Sequence, residues 1–548
     1  MVSETRPGMT AARDVVVSQA VALGVAVALT TSGVPARWAI TAAVVVVIGL
    51  CLPRDGRPVV GHLSAWPRLL AHRPVPARTV LSFDRPGGPI GVVWNGSDLT
   101  IVAELHVEPA AAGWSTVGSR GATPDAVVPL RDLVDRLSQG TDAPTHLGVT
   151  SVGTRPARGR RAADSYLSMA GPLASVARRQ TFLSLSTDVH EGETAAARRG
   201  GTAAGSVQML ATTMARLQHV LRTHGLVGSL LTSDQIRAAD LLVTSGVPLR
   251  HVRPQWSFAR LGGSTWCSRR LAPSAWTAAA IDSIGDHDAD VTSLAVRAAL
   301  STTTEATATA TYGYLSAESP QRRSIRVAGS STLDGLHRQG LEDVLVSTAR
   351  PATPTHPVEG AQWSTLVLPV AGCGQVVGVD SDGTTVTARV FGKDVDTVDV
   401  HGELYVVHQI VFRAVAVGAV VLVMTDRPHA WRHLAVAVAD SGTLSVVTPV
   451  SDVESGTAVD LVVADHAGDR PTPVPGTVLR VNPASSTGGT DIVIDQSPDV
   501  TDEVALTMAS RSITLRLVTT AAETEAIGRP RGLPRPGSAA RVGLTGAL

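Results

Sequence analysis

The sequence predicts an N-terminal transmembrane α-hairpin followed by a mixed α/β cytoplasmic region, and three observations lead there. Two uncharged apolar runs occupy the first 55 or so residues; charged residues make up only 17% of the 548-residue chain; and beyond residue 80 short β-branched runs alternate with helical periodicities.

The hairpin comes first. Residues 15–31, VVVSQAVALGVAVALTT, and 38–52, WAITAAVVVVIGLCL, contain no charge, and SGVPAR joins them through Gly33 and Pro35. A span needs about 20 residues for a hydrocarbon core of roughly 30 Å, so both runs are short; Arg13, Arg37 and Arg54 flank them and can snorkel. A cleaved signal peptide would show one apolar core and then a polar mature segment, which is not the pattern here. A buried helical pair in a soluble core is the other alternative. Arg6 and Arg13 precede the first run, Arg54, Arg57, Arg68, Arg73 and Arg78 follow the second, and only Arg37 lies in the turn. That asymmetry predicts a two-pass plasma membrane protein with a cytoplasmic N-terminus (1–13), a hairpin (14–53) and a cytoplasmic remainder.

Residues 54–80 are rich in Pro, Arg and His and read as a basic juxtamembrane linker, either lying against anionic headgroups or simply solvated. A first α/β region spans 81–349. Within it IGVVWNG and LTIVAELHVE, separated by NGSD, form a hairpin signal; VPLRDLVDRLSQG reads as a helix and TFLSLSTD as a strand. After RRGGTAAGS comes a helix with Val207, Leu210, Met214, Leu217 and Leu221 on one face and Arg216, His219 and Arg222 on another. The Gly-rich turn with Arg198 and Arg199 could cradle a phosphate, but it lacks the P-loop Lys-Ser/Thr and does not fit GxGxxG. Residues 250–276 concentrate Trp256, Trp266 and Trp276, as buried anchors, an interface or a base-stacking cluster. TTTEATATATYGYL reads as a strand and LDGLHRQGLEDVLV as a helix. A Pro-rich loop at 350–360 leads to a second α/β region at 361–525, and 526–548 has the composition of a disordered tail.

Residues 404–424, LYVVHQIVFRAVAVGAVVLVM, are long and apolar enough to suggest a third span. Arg413 near the middle would cost about 2.5–3.5 kcal/mol to insert, with His408 and Gln409 adding to that. Gln409 and Arg413 are four apart, while Leu404, Val407, Val411, Val415 and Gly418 follow another face. The segment therefore reads as a soluble helix, a stop at Gly418, a buried strand and a new helix from Pro428.

The 47 basic and 47 acidic residues cancel, so no global field recruits nucleic acid, which is not expected as a partner. Cys51, Cys267 and Cys373 offer neither a disulfide framework nor a zinc spacing. Asp286-His-Asp288, Asp380-Ser-Asp382 and Asp394-Val-Asp396 are the candidates for a divalent cation bridging a diphosphate, although Asp380 to Gly383 is also a common hairpin-turn composition. Cys373 has no His close in sequence to activate it, and HExxH, GxSxG and Walker motifs do not occur. No catalytic, cofactor-binding or metal-ligating residue is assigned, and no cofactor is expected.

AGCGQVVGVDSDGTTVTARVFG followed by VDTVDVHGELYVVHQIVFRAVAVGAVVLVMTDRPHAW, residues 371–431, resembles EccE, a membrane component of actinobacterial type VII (ESX) secretion systems. The shared features are a Gly-Cys-Gly-Gln hairpin, a helix with a central Arg-Ala and a strand ending Thr-Asp-Arg-Pro-x-x-Trp. The two-helix N-terminus, the RRGG turn with its helix, the Trp-rich 250–276 stretch and DIVIDQ near 491 match more weakly. The resemblance implies a non-catalytic subunit that assembles into and stabilises the secretion complex beside EccB, EccC and EccD, in contact with membrane lipid. It also implies a glycosyltransferase-like cytoplasmic fold without an active site. The alternative is a membrane-anchored, metal-dependent glycosyltransferase using one Asp-x-Asp pair.

Overall fold

A computed structural model describes residues 9–54, 57–63, 65–66, 69, 78–118, 121–122, 126–139, 146–155, 160–170, 177–190, 192–285, 289–300, 306–317, 326–439, 442–448, 459–466, 476–483 and 489–529. The chain forms two units. Unit 1 comprises residues 1–108, 124–155 and 176–372, and unit 2 comprises 109–123, 156–175 and 373–548.

Among the described residues unit 1 is organised by a sheet of thirteen strands, all paired antiparallel. Its main path runs Arg253–Pro254, Ala259–Leu261, Ser264–Leu271, Thr307–Ser316, Val291–Ala299, His146–Thr154, Arg178–Asp188, Asp98–Val107, Ile90–Trp94 and Thr79–Phe83. Two similar halves meet at its centre. Among the described residues each half contributes, in chain order, a hairpin, a long strand, a helix, two long strands, a short strand and a helix, and the first half adds the helices Glu193–Ala197 and Thr202–Thr223 before its short strand. At the junction Thr150 faces Ala295, and outward from it His146 faces Ala299 while Thr154 faces Val291, a register consistent with a pseudo-twofold axis. The flanking pairings repeat: Leu226–Leu230 adds to Asp98–Val107 as Ser330–Thr332 adds to Ser264–Leu271.

The long strands are buried almost throughout, so they read as continuous β-branched and small-residue runs rather than alternating ones. Val102, Phe182, Ala295, Leu315 and Trp266 belong to one core cluster, joined by Leu341 and Val344 from the helix His337–Val344. The same sheet buries Arg297 completely. Its guanidinium donates to the carbonyls of Val149 (3.2 Å) and Leu345 (2.6 Å) and to Thr150 Oγ1 (2.6 Å). Gly148 makes room for it, since a Cβ there would lie 2.3 Å from Ser184 Oγ and 2.9 Å from the guanidinium. Residues 345–370 are tied to the sheet in the same way. Ser184 donates to the Thr348 carbonyl, Thr181 and Ser151 to that of Pro369, and buried Asp343 accepts from the backbone N–H groups of Ala352 and Thr353.

The expected transmembrane α-hairpin is not upheld. Met9–Thr31 and Ala36–Cys51 are helices, but among the described residues no helix is long and apolar enough to cross a membrane. The second helix has 16 residues, about 24 Å at 1.5 Å per residue, and the described side chains of the first begin only at Val16. The expected fold class gives way to a mixed helix and sheet protein built on large, mainly antiparallel sheets. Arg6, Arg68 and Arg73 lie outside the described residues, as do Asp286, Asp288 and residues 530–548.

Among the described residues unit 2 contains twelve strands in one sheet. Six are parallel, in the order Leu444–Val447, Val421–Thr425, Leu461–Asp465, Thr477–Val481, Thr397–His401 and Ile492–Gln496. The remainder, Glu503–Met508, Arg511–Arg516, Gln375–Val379, Thr385–Ala388, Ser115–Gly118 and Gly121–Ala122, continue antiparallel. The helix Leu404–Ala416 ends where Gly418 takes φ +92°, the strand Val421–Thr425 follows, and a new helix, Pro428–Ala437, starts with Pro at its first position. Residues 404–424 are thus a 13-residue buried helix and a buried strand, packed with the helices Arg161–Ala170 and Ala521–Ile527.

Candidate functional site

In open α/β sheets ligands gather outside the carboxyl ends of the parallel strands. In unit 2 that edge is built around Asp465, the last residue of Leu461–Asp465. Thr425, the last residue of the neighbouring strand, donates to Asp465 Oδ2 at 2.8 Å. Arg427 grips both carboxylate oxygens, Nη2 to Oδ1 at 2.5 Å and Nε to Oδ2 at 3.0 Å, and Trp431 Nε1 donates to Oδ2 at 2.7 Å. The Pro428 start of the helix fixes the turn that carries Arg427 and Trp431 toward the strand ends. The residues Thr425, Arg427 and Trp431 of TDRPHAW therefore converge on one carboxylate.

Burial alone would raise the Asp465 pKa, but hydrogen bonds from Arg427, Trp431 and Thr425 outweigh it and hold the carboxyl below its ordinary range. The same contact raises the Arg427 pKa. His408 lies edge-on to Trp431, with ring centroids 4.6 Å apart, and its Nε2 is buried without a hydrogen-bond partner. Burial drives its pKa down to about 4; Arg427 and His433 push the same way and Asp465 opposes them. His408 is neutral at pH 7. With the carboxylate fully engaged, this arrangement acts as a clasp between two strands and a helix rather than as an acid–base pair.

A second buried constellation joins the other motif residues. Arg413 pairs with Glu523, Nε to Oε1 at 2.8 Å, and donates to the carbonyls of Val376, Val377 and Val518. Gln375 Nε2 donates to the Ile410 carbonyl at 3.2 Å, and Tyr166 Oη accepts from the Val376 N–H. Gly374 has φ +78°, and a Cβ on it would come 2.1 Å from the Ala388 carbonyl oxygen. The Gly-Cys-Gly-Gln turn is thus a close backbone crossing. Buried Cys373 turns its Sγ toward the Gly374 carbonyl and helps raise the Tyr166 pKa, which burial already lifts.

Among the described residues, the candidates at 380–382 and 394–396 do not form a metal-binding group. Asp380 accepts from the N–H groups of Asp382 (3.0 Å) and Thr384 (2.7 Å) and closes a turn. Asp394 pairs with Arg389 at 2.8 Å. The N–H of Asp396 donates to Asp491, so its contact is a backbone one. Among the described residues no group of three or more His, Cys, Asp or Glu is placed to hold a metal ion. Asp465 and Glu523 were not singled out in the sequence; the only signal was an acid at the end of a β-branched run, LVVAD, and one in a short polar helix.

In unit 1 the strand Arg178–Asp188 leads through Gly200 and Gly201, both at positive φ, into the helix Thr202–Thr223, whose Val207, Leu210, Met214, Leu217 and Leu221 are buried. Trp266 and Trp276 are buried, and Trp256 is half-buried. Residues 175–270 match the EccE family model. That family is described as a putative type VII ESX secretion system translocon. The EccE match covers the RRGG turn, its helix and most of the Trp-rich stretch, and it bears out the resemblance seen in the sequence. It supports a place for the protein among type VII secretion components, a membrane-associated apparatus. A search of curated proteins finds no match.

Proposed function

We propose that this protein is a non-catalytic subunit that helps assemble and stabilise a type VII (ESX) secretion complex, in company with EccB, EccC and EccD. The EccE match over 175–270 carries the reading. Two features of the chain support it. Of the carboxylates that would serve a metal-dependent transferase, Asp380 is engaged in a turn and Asp394 in an ion pair. The helices Met9–Thr31 and Ala36–Cys51 leave Leu23, Val27, Trp38, Ile40 and Val45 exposed, an apolar surface suited to partner subunits or lipid.

The test is purification of the tagged full chain in mild detergent from cells expressing the rest of the secretion apparatus. Other secretion subunits are expected to co-purify, and the chain alone is expected neither to hydrolyse ATP nor to transfer sugar. Recovery only as a free chain would overturn the proposal. So would saturable, metal-dependent sugar-nucleotide binding that disappears in Asp380→Ala or Asp394→Ala.

A further inference from the structure

The short hairpin at one end of the unit 1 sheet carries a charge pattern that its own fold does not use. Arg253 and Arg260 face each other across its two strands, so their side chains leave the same face. That face is the outer one: Arg260 is exposed, while Ala259 and Leu261 on either side of it are buried. Arg253 is exposed as well, and so are Arg250 and His251 in the helical turn just before it. Among the described residues none of the three guanidinium groups has a partner. Like charges directly opposite one another weaken an antiparallel pair, and an external anion would relieve that.

The pseudo-twofold arrangement shows that the scaffold does not require these arginines. At the other end of the sheet the equivalent cross-strand pair is Thr79 and Trp94. The chain as a whole is neutral, so the attraction is local to this hairpin.

The hairpin turn, closed by the Gln255 N–H to the Phe258 carbonyl at 2.8 Å, contains Trp256. The Trp256 carbonyl accepts from the Gly335 N–H at 2.7 Å, and its ring packs on Trp66 with centroids 5.9 Å apart. Trp66 itself is 52% exposed. Guanidinium groups on the outer face of the hairpin, with an exposed indole packed on Trp256 of its turn, suit a layer of phosphate headgroups, where arginine meets phosphate and the indole sits at the boundary between polar and apolar. A purely acidic protein surface would meet the charges and leave the indole unused.

We propose that the 253–261 hairpin, with Arg250 and Trp66, docks on the phosphate headgroups of an anionic bilayer. The proposal rests on the reading that the protein works at a membrane, but its test is separate from co-purification. The purified full chain is sedimented with vesicles of neutral phosphatidylcholine alone and with vesicles containing phosphatidylglycerol. Exposed apolar helices contribute equally to both, and the basic 54–80 segment contributes equally to wild type and variants, so the part of the anionic increment lost in the arginine variants reads the hairpin. That increment is expected to fall as salt rises, and to drop roughly fivefold per arginine in Arg250→Gln, Arg253→Gln and Arg260→Gln. Trp66→Ala is expected to weaken binding to the anionic vesicles several-fold, and added inorganic phosphate is expected to compete only weakly. Unchanged melting of the variants shows that they fold. Equal binding to both vesicle types, or an anionic increment untouched in the triple variant, overturns the proposal. Full competition by inorganic phosphate overturns it in favour of a free-anion site. If the triple variant keeps vesicle binding but no longer co-purifies with secretion subunits, the patch is an acidic-protein interface and the proposal fails.

Discussion

Arg413 Nε lies 2.8 Å from Glu523 Oε1, and both side chains are only 2% exposed. The pair ties the Leu404–Ala416 helix to the helix Ala521–Ile527, more than 100 residues later in the chain. Removing one partner leaves a buried charge, so Arg413→Met or Glu523→Leu is expected to destabilise unit 2 by about 3–5 kcal/mol. The double change to Met and Leu is expected to recover most of that loss. Urea unfolding of the four proteins measures both terms.

Gly374→Ala is expected to cost about 2 kcal/mol or more, because the added Cβ meets the Ala388 carbonyl at 2.1 Å and φ is +78°. Cys373→Ala next to it serves as the control and is expected to cost less. Thermal melting compares the two.

His408 yields a pH dependence with a definite sign. Its folded pKa is lowered by burial to about 4, whereas the unfolded chain titrates near 6.5. Between those values the unfolded state binds more protons, so stability rises with pH. The contribution is complete above about pH 6.5 and is lost as pH falls toward 4, with a size on the order of 3 kcal/mol. His146 in unit 1, also lowered to about 4 by burial, acts in the same direction. In His408→Phe the difference between unfolding midpoints at pH 5 and pH 7 is expected to shrink.

Asp465→Ala is expected to be more damaging than Asp380→Ala. The first change strips Arg427, Trp431 and Thr425 of their common acceptor, at about 2–3 kcal/mol; the second loosens a turn, at about 1 kcal/mol. Denaturant midpoints of the two variants give the ranking.

Much of the local architecture was legible in the sequence. The helix, Gly418 stop, strand and Pro428 start follow from periodicity and from one glycine and one proline, which act on the backbone locally. The role of Gln409 and Arg413 was not. Their shared face suggests solvent, yet Arg413 is buried because Glu523 arrives from more than 100 residues away, and no local pattern announces that meeting. The same holds for Asp465, whose partners come from the end of another strand and the turn and helix that follow it. Two uncharged runs near the N-terminus carry composition but not span length, which is where the expectation of a transmembrane hairpin went astray. The doubled layout of unit 1 is carried by strand pairing rather than by repeated residues, so only the register exposes it.

The division of the chain into units bears on how it is made. Residues 109–123 and 156–175 belong to unit 2, whose main body begins only at 373. The strand Ser115–Gly118 pairs with Thr385–Ala388, and the helix Arg161–Ala170 packs on Leu404–Ala416. At about 5–20 residues per second, the ribosome leaves these early segments waiting roughly 10–50 seconds for their partners. A chain stopped at residue 372 would carry an orphaned strand and an orphaned helix, so the natural cut between the units is not a single bond in the sequence.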